Sequence, residues 1–170
     1  MSSGRSAGAV RRCPYSTGGR LMRSSDTTIV DCPLMVLDTS AVLAILLDEP
    51  ESEGIRRAIE VDATRLLSAG SFLEAALVIE TRFGPNGGRE LDLLIARGGI
   101  EIVAFDAEQA KHARSAFLRW GKGRSPAGLN FGDCFSYALS RTSGEPLCFK
   151  GNDFARTDVA RVRLVDTESA

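Results

Sequence analysis

Four carboxylates in this 170-residue chain stand where side chains could do chemistry: Asp38, Glu74, Asp133 and Asp153. Asp38 closes the apolar run Met35-Val36-Leu37 and is followed by Thr39, Ser40 and an apolar stretch to Leu47. An acid between a strand and a helix lies where open α/β sheets hold their ligands. The same residue reads equally as a helix cap. Glu74 sits in the apolar stretch 72–79, with Ser71, Leu77, Val78 and Thr81 on its own side at helical spacing. Such a helix should be buried on most sides, and a carboxylate within it needs a cation or a hydrogen-bond partner. Asp133 falls three residues after Asn130 in the first turn of a helix, off the stripe Phe131, Phe135, Leu139 that reads as core. A first-turn acid also simply complements the helix dipole. Asp153 follows an apolar run within the turn Lys150-Gly151-Asn152, where aspartate is an ordinary turn residue.

Taken together the four say more. In a parallel sheet the carboxyl ends of strands and the amino ends of helices share one edge, so all four acids can converge there. Carboxylates that close repel one another unless cations stand among them. With a single histidine, His112, a multi-histidine zinc site is excluded, and an oxygen-only ligand set selects Mg2+ or Mn2+. A cage of this kind suits hydrolysis of phosphodiesters, because the ions activate water and neutralise the leaving oxygen. Thr39, Ser40 and Asn152 are supporting candidates that could equally cap or turn, and Asp158 could support the site or cap a following turn. Lys122 and Arg124, with Lys111, Arg114 and Arg119, form the densest basic patch and lead toward Asp133. They read either as contacts to RNA phosphates or as a solvated helix face. His112 reads as a surface residue and Trp120 as the edge of the core.

Positioning the acids requires alternating strands and helices. Strands are expected at 35–37, 65–68, 100–103, 147–149 and 162–165, and helices at 39–47, 50–61, 71–82, 89–97, 106–120 and 130–142. The segment 83–88 reads as a break, Asp106 and Gln109 as a capping box, and Asn130 as a cap. Strands separated by helices imply a mostly parallel five-stranded sheet flanked by helices in three layers. The stripes of 41–47 and 55–61 either form a groove for a partner helix or pack on the sheet.

Composition supports one folded domain: 44% of residues are hydrophobic and 25% charged, and no apolar run is long enough to span a membrane. Residues 1–34 differ, being rich in Ser, Gly and Arg with no apolar period, and are expected to be a disordered tail or a start assigned upstream of Met35. They hold five of the 21 cationic residues and two of the 22 acids, which leaves 16 against 20, a charge of −4, for 35–170. The cysteines at 13, 32, 134 and 148 form no Cys-x-x-Cys pair, as expected of buried thiols in a reducing cytoplasm.

The motifs Met-Val-Leu-Asp38-Thr-Ser-Ala, Leu-Asn-Phe-Gly-Asp133-Cys and Phe-Lys-Gly-Asn-Asp153-Phe-Ala-Arg-Thr-Asp158, with Glu74 between them, resemble the PIN-domain ribonucleases. Among these the chain is most similar to the VapC-type toxins of toxin–antitoxin pairs, over about 35–165. The resemblance implies a PIN-like fold and a Mg2+-dependent endoribonuclease of the prokaryotic cytoplasm. It also implies a small cognate antitoxin, a homodimer, and Asp38, Glu74, Asp133 and Asp153 as the acidic quartet, with Asp38 and Asp133 as direct metal ligands. A phosphatase using Asp-x-Asp is disfavoured by Ser40, and a receiver domain by the lack of an acidic pair after the first strand. A non-catalytic PIN-like module and a housekeeping RNA-processing nuclease remain as alternatives.

Overall fold

The computed structural model describes residues 34–61 and 64–164. Residues 1–33, with Cys13 and Cys32, and the end of the expected fifth strand at Val165 lie outside the described residues.

Four strands, β1 (Leu34–Leu37), β2 (Thr64–Ser68), β3 (Ile100–Val103) and β4 (Leu147–Cys148), form one parallel sheet in the order β3-β2-β1-β4. Leu37 pairs level with Leu67 on one side and Cys148 on the other. The carboxyl ends of β1, β2 and β4 are therefore flush, and the segments that leave them emerge at one edge.

Helices α1 (Thr39–Leu46), α2 (Ser52–Val61), α3 (Ala69–Phe83) and α4 (Pro85–Arg97) cover one face. There Met35, Leu37, Leu67 and Ile100 pack against Val42, Ile45, Ile55, Ala75, Ile79 and Leu91. Alternate strand residues such as Val36 and Leu66, fully buried, point the other way. On that side α6 (Asp133–Ser143) crosses β1, β2 and β4, with α5 (Ala107–Trp120) packed along it. This gives the expected three layers. The apolar stripes of α1 and α2 pack into the core instead of lining an open groove.

Several expectations are corrected. Among the described residues the sheet has four strands, not five: the segment after Asp158 meets β4 through a single parallel bridge, Leu147 to Arg161. β4 is only two residues long, so it offers one position for a further ladder. Helix α4 begins at Pro85, four residues early, because Gly84 alone makes the break at φ 63° and Pro85 suits the first helical position. Gly87 then lets α4 lie close on α3, since a Cβ there would stand 2.7 Å from the Ile79 carbonyl oxygen. Asp106 does cap α5 through the Gln109 N–H, but the Gln109 side chain donates to the Ala104 carbonyl and the capping box stays half-made. Two surfaces also differ. Helix α3 buries only Ser71, Ala75 and Ile79 and leaves Leu73, Leu77 and Val78 exposed, and Phe131 is 79% exposed instead of core.

Candidate active site

Asp38 caps α1 with one oxygen and leaves the other unused. Its Oδ2 accepts from the Ser40 N–H at 2.8 Å and the Ser40 hydroxyl at 2.6 Å. The Ser40 oxygen in turn accepts from the Lys150 N–H at 2.9 Å, tying the turn after β4 to the start of α1. The cap reading and the site reading of Asp38 are thus compatible. Oδ1 is buried and has no hydrogen-bond partner, on a residue only 2% exposed. A buried, unpaired carboxylate oxygen is costly unless something positive meets it.

Thr39, also buried, donates its hydroxyl to Glu74 Oε2 at 2.6 Å and so fixes the second acid from the first helix. Below Glu74, the Ser71 and Ser136 hydroxyls meet at 2.9 Å, both fully buried, and pin α3 to α6. Gly132 completes the approach: a Cβ at that position would collide with the Glu74 carboxylate. Sequence reading places Ser71 on the side of Glu74 and Ser136 beside Asp133 but gives no role to either serine or to Gly132. The available signal is a hydroxyl within an apolar helical stretch and a glycine directly before a first-turn acid.

Asp133 opens α6. Its Oδ2 accepts from the Asn130 N–H at 2.7 Å, and its own N–H donates to Asn130 Oδ1 at 3.0 Å. Burial pushes its carboxyl up to about 6; the Asn130 N–H opposes the rise, and the charges of Asp38, Asp153 and Glu74 add to it. Asp38, Asp153 and Glu74 thus all lie within electrostatic reach of Asp133 at this sheet edge. Asp153 stands on the exposed rim, where it begins a short 3-10 turn, with exposed Asn152 beside it.

Asp158 is engaged elsewhere. It accepts from the Tyr137 hydroxyl at 2.6 Å and pairs with Arg119 at 3.2 Å. Lys122 and Arg124 are exposed on the loop between α5 and α6, with the Arg124 guanidinium 5.7 Å from the centre of the Phe117 ring. Trp120 is half-buried beneath the Arg119 guanidinium.

Among the described residues no three His, Cys, Asp or Glu side chains close into a coordination shell. None of the four acids is in an ion pair there either. Like charges so placed repel one another. An oxygen-only donor set around an unpartnered Asp38 Oδ1 fits a hard divalent ion.

Comparison with known proteins identifies the family. Residues 35–160 match the PIN domain family. Over 130 residues the chain is 57% identical to the VapC ribonuclease Mb0640 of Mycobacterium bovis, covering 76% of this chain and 99% of that protein. It is 58% identical over 128 residues to the ribonuclease VapC of Mycolicibacterium smegmatis, covering 75% and 99%. Its fold is similar to that of VapC20 of Mycobacterium tuberculosis, described as a sarcin-ricin loop cleaving toxin, with a TM-score of 0.63 at 16% identity over 76% of this chain and 98% of that one. It is similar in the same way to VapBC2 of Rickettsia felis bound to a promoter DNA fragment, with a TM-score of 0.62 at 14% identity over 78% and 99%. The chain belongs to the PIN-domain family and, within it, to the VapC ribonucleases.

Among the described residues no helix is long and apolar enough to cross a membrane.

Proposed function

We propose that this protein is a divalent-metal-dependent endoribonuclease acting as the toxin of a bacterial toxin–antitoxin pair, with residues 35–170 as the nuclease domain. The observation that carries the metal reading is Asp38 Oδ1, buried and unpartnered among three further carboxylates. Asp38 and Asp133 would hold the ion, taken to be Mg2+ with Mn2+ able to substitute. An ion held by Asp38 and Asp133 would supply positive charge for the scissile phosphate and would favour deprotonation of water at neutral pH.

The chain's own residues do the rest. Ser40 fixes the rotamer of Asp38, and Thr39 fixes Glu74. Glu74 and Asp153 are acceptors able to orient an attacking water, with Asn152 a further polar group at the rim. The exposed Lys122 and Arg124 lie on the loop that leads to Asp133 and are assigned to RNA phosphates. Asp158 acts on the site only through the packing of Tyr137 on α6.

A small cognate antitoxin restrains the activity in the cytoplasm, and the apolar residues left exposed on α3 support a homodimer. A monomeric mass by light scattering at micromolar concentration would exclude the homodimer. The purified chain should cleave RNA with Mg2+ or Mn2+, stop when EDTA is added, and lose cleavage in Asp38→Asn without unfolding. Undiminished cleavage by that variant would overturn the site.

A further inference from the structure

The ring of Phe131 is 79% exposed, the most exposed of the large apolar side chains among the described residues, and it lies two residues before Asp133. The backbone that carries it is held on both sides. The reciprocal hydrogen bonds between Asn130 and Asp133 bracket the pair Phe131-Gly132, and the Cys134 thiol adds a third bond to the Asn130 carbonyl at 3.1 Å. The ring itself meets Phe135 at 82° with centroids 4.9 Å apart. Phe135 meets Phe105 at 84° and 4.7 Å. Phe135 packs closely over Gly70, where a Cβ would overlap its ring. Phe131 thus ends a braced, edge-to-face row of three rings that runs outward beside the acidic edge.

We propose that Phe131 is a stacking platform for a nucleobase of the RNA strand next to the scissile phosphate, a contact that rests on the ribonuclease reading above. Single-stranded RNA offers unstacked bases to aromatic faces, and the π-face is common to all four bases. A rigid ring at the rim holds one nucleotide while its neighbouring phosphate enters the carboxylates, and Gly132 lets the backbone between ring and acid lie flat on Glu74. Stacking uses the face of the ring, so an aliphatic side chain of similar size cannot replace it.

The test compares Phe131→Ala, Phe131→Leu and Phe131→Trp in the non-cleaving Asp38→Asn background. Affinity for a short fluorescein-labelled single-stranded RNA is read by anisotropy in Mg2+. Ala and Leu should each weaken binding about ten-fold while Trp preserves it, as expected for loss of one stacked base. The emission of the new indole should be quenched by RNA. Because the ring is exposed, thermal melts should stay within about two degrees of one another. Leu binding as tightly as Phe, or Ala leaving RNA affinity unchanged while altering the oligomeric mass, would overturn the stacking role and assign the ring to a protein contact. A parent protein that cleaves RNA yet shows no effect at Phe131 overturns this role alone. One that neither binds nor cleaves RNA overturns the ribonuclease reading with it.

Discussion

Two groups of carboxylates in this molecule are treated in opposite ways. Glu49 and Glu51 share the Lys150 ammonium at 3.0 and 3.4 Å, and Asp158 has Arg119 and the Tyr137 hydroxyl. The Tyr137 hydrogen bond holds the Asp158 carboxyl below the ordinary range. Asp38, Glu74 and Asp133 have only hydroxyls and N–H groups, Asp153 stands exposed beside them, and burial, with the charges of the other three acids, drives Asp133 up to about 6. The chain can pair its acids with cations and does so a few residues away. Where it gathers four without one, the proposed function has the missing positive charge supplied from outside. On that proposal, this is the physical difference between an acid that holds the fold together and an acid that waits for a ligand.

The contrast is sharpest at Gly132. Gly132→Ala would drive a methyl group into the Glu74 carboxylate. Cleavage should fall about ten- to a hundred-fold, the usual cost of displacing a group that supports a metal ligand, at a stability loss of about 1–3 kcal/mol. A cleavage assay and a melt on the same preparation check it. Wild-type activity would show that the position of Glu74 does not matter.

The next effect concerns pH. Asp133 binds its proton more tightly in the folded chain than in the unfolded one, so its contribution to stability is complete below the unfolded value of 3.8. That contribution is lost as pH rises through about 6. The melting temperature of EDTA-treated protein should therefore decline across that window. In Asp133→Asn the decline should flatten, because the amide still accepts from Asn130 but carries no charge. A melting curve just as steep in the variant would show that the decline does not come from burial of the Asp133 charge. At Asp158 the same change should do least. Asp158→Asn removes an exposed ion pair and weakens one hydrogen bond, a loss of about 1 kcal/mol by denaturant titration, with cleavage unchanged.

Much of this was legible in the sequence, for a reason that applies to each acid. Asp38 and Asp153 follow apolar strands, Asp133 opens a helix, and parallel topology brings those ends to one edge whatever the details of packing. The same local logic gave the α5 cap at Asp106 and the three-layer order. What periodicity could not reveal was which apolar face would go without a cover. Leu77 and Val78 on α3, like Phe131, carry hydrophobic side chains yet face outward, because exposure depends on what the rest of the chain brings to that side. The fifth strand failed for a similar reason: the apolar residues near Val162 have only a two-residue edge to join. Gly132 and the Ser71–Ser136 contact are long-range fits that appear only once α3 and α6 are placed together.

The central claim is that the four carboxylates are completed by a divalent cation, and calorimetric titration of the metal-free protein with Mg2+ or Mn2+ tests it most directly. The wild-type chain should bind saturably at up to millimolar concentration, and Asp38→Asn, still folded through the Ser40 cap, should show no binding heat. Equal binding by the two proteins, or none by the wild type, would contradict the account.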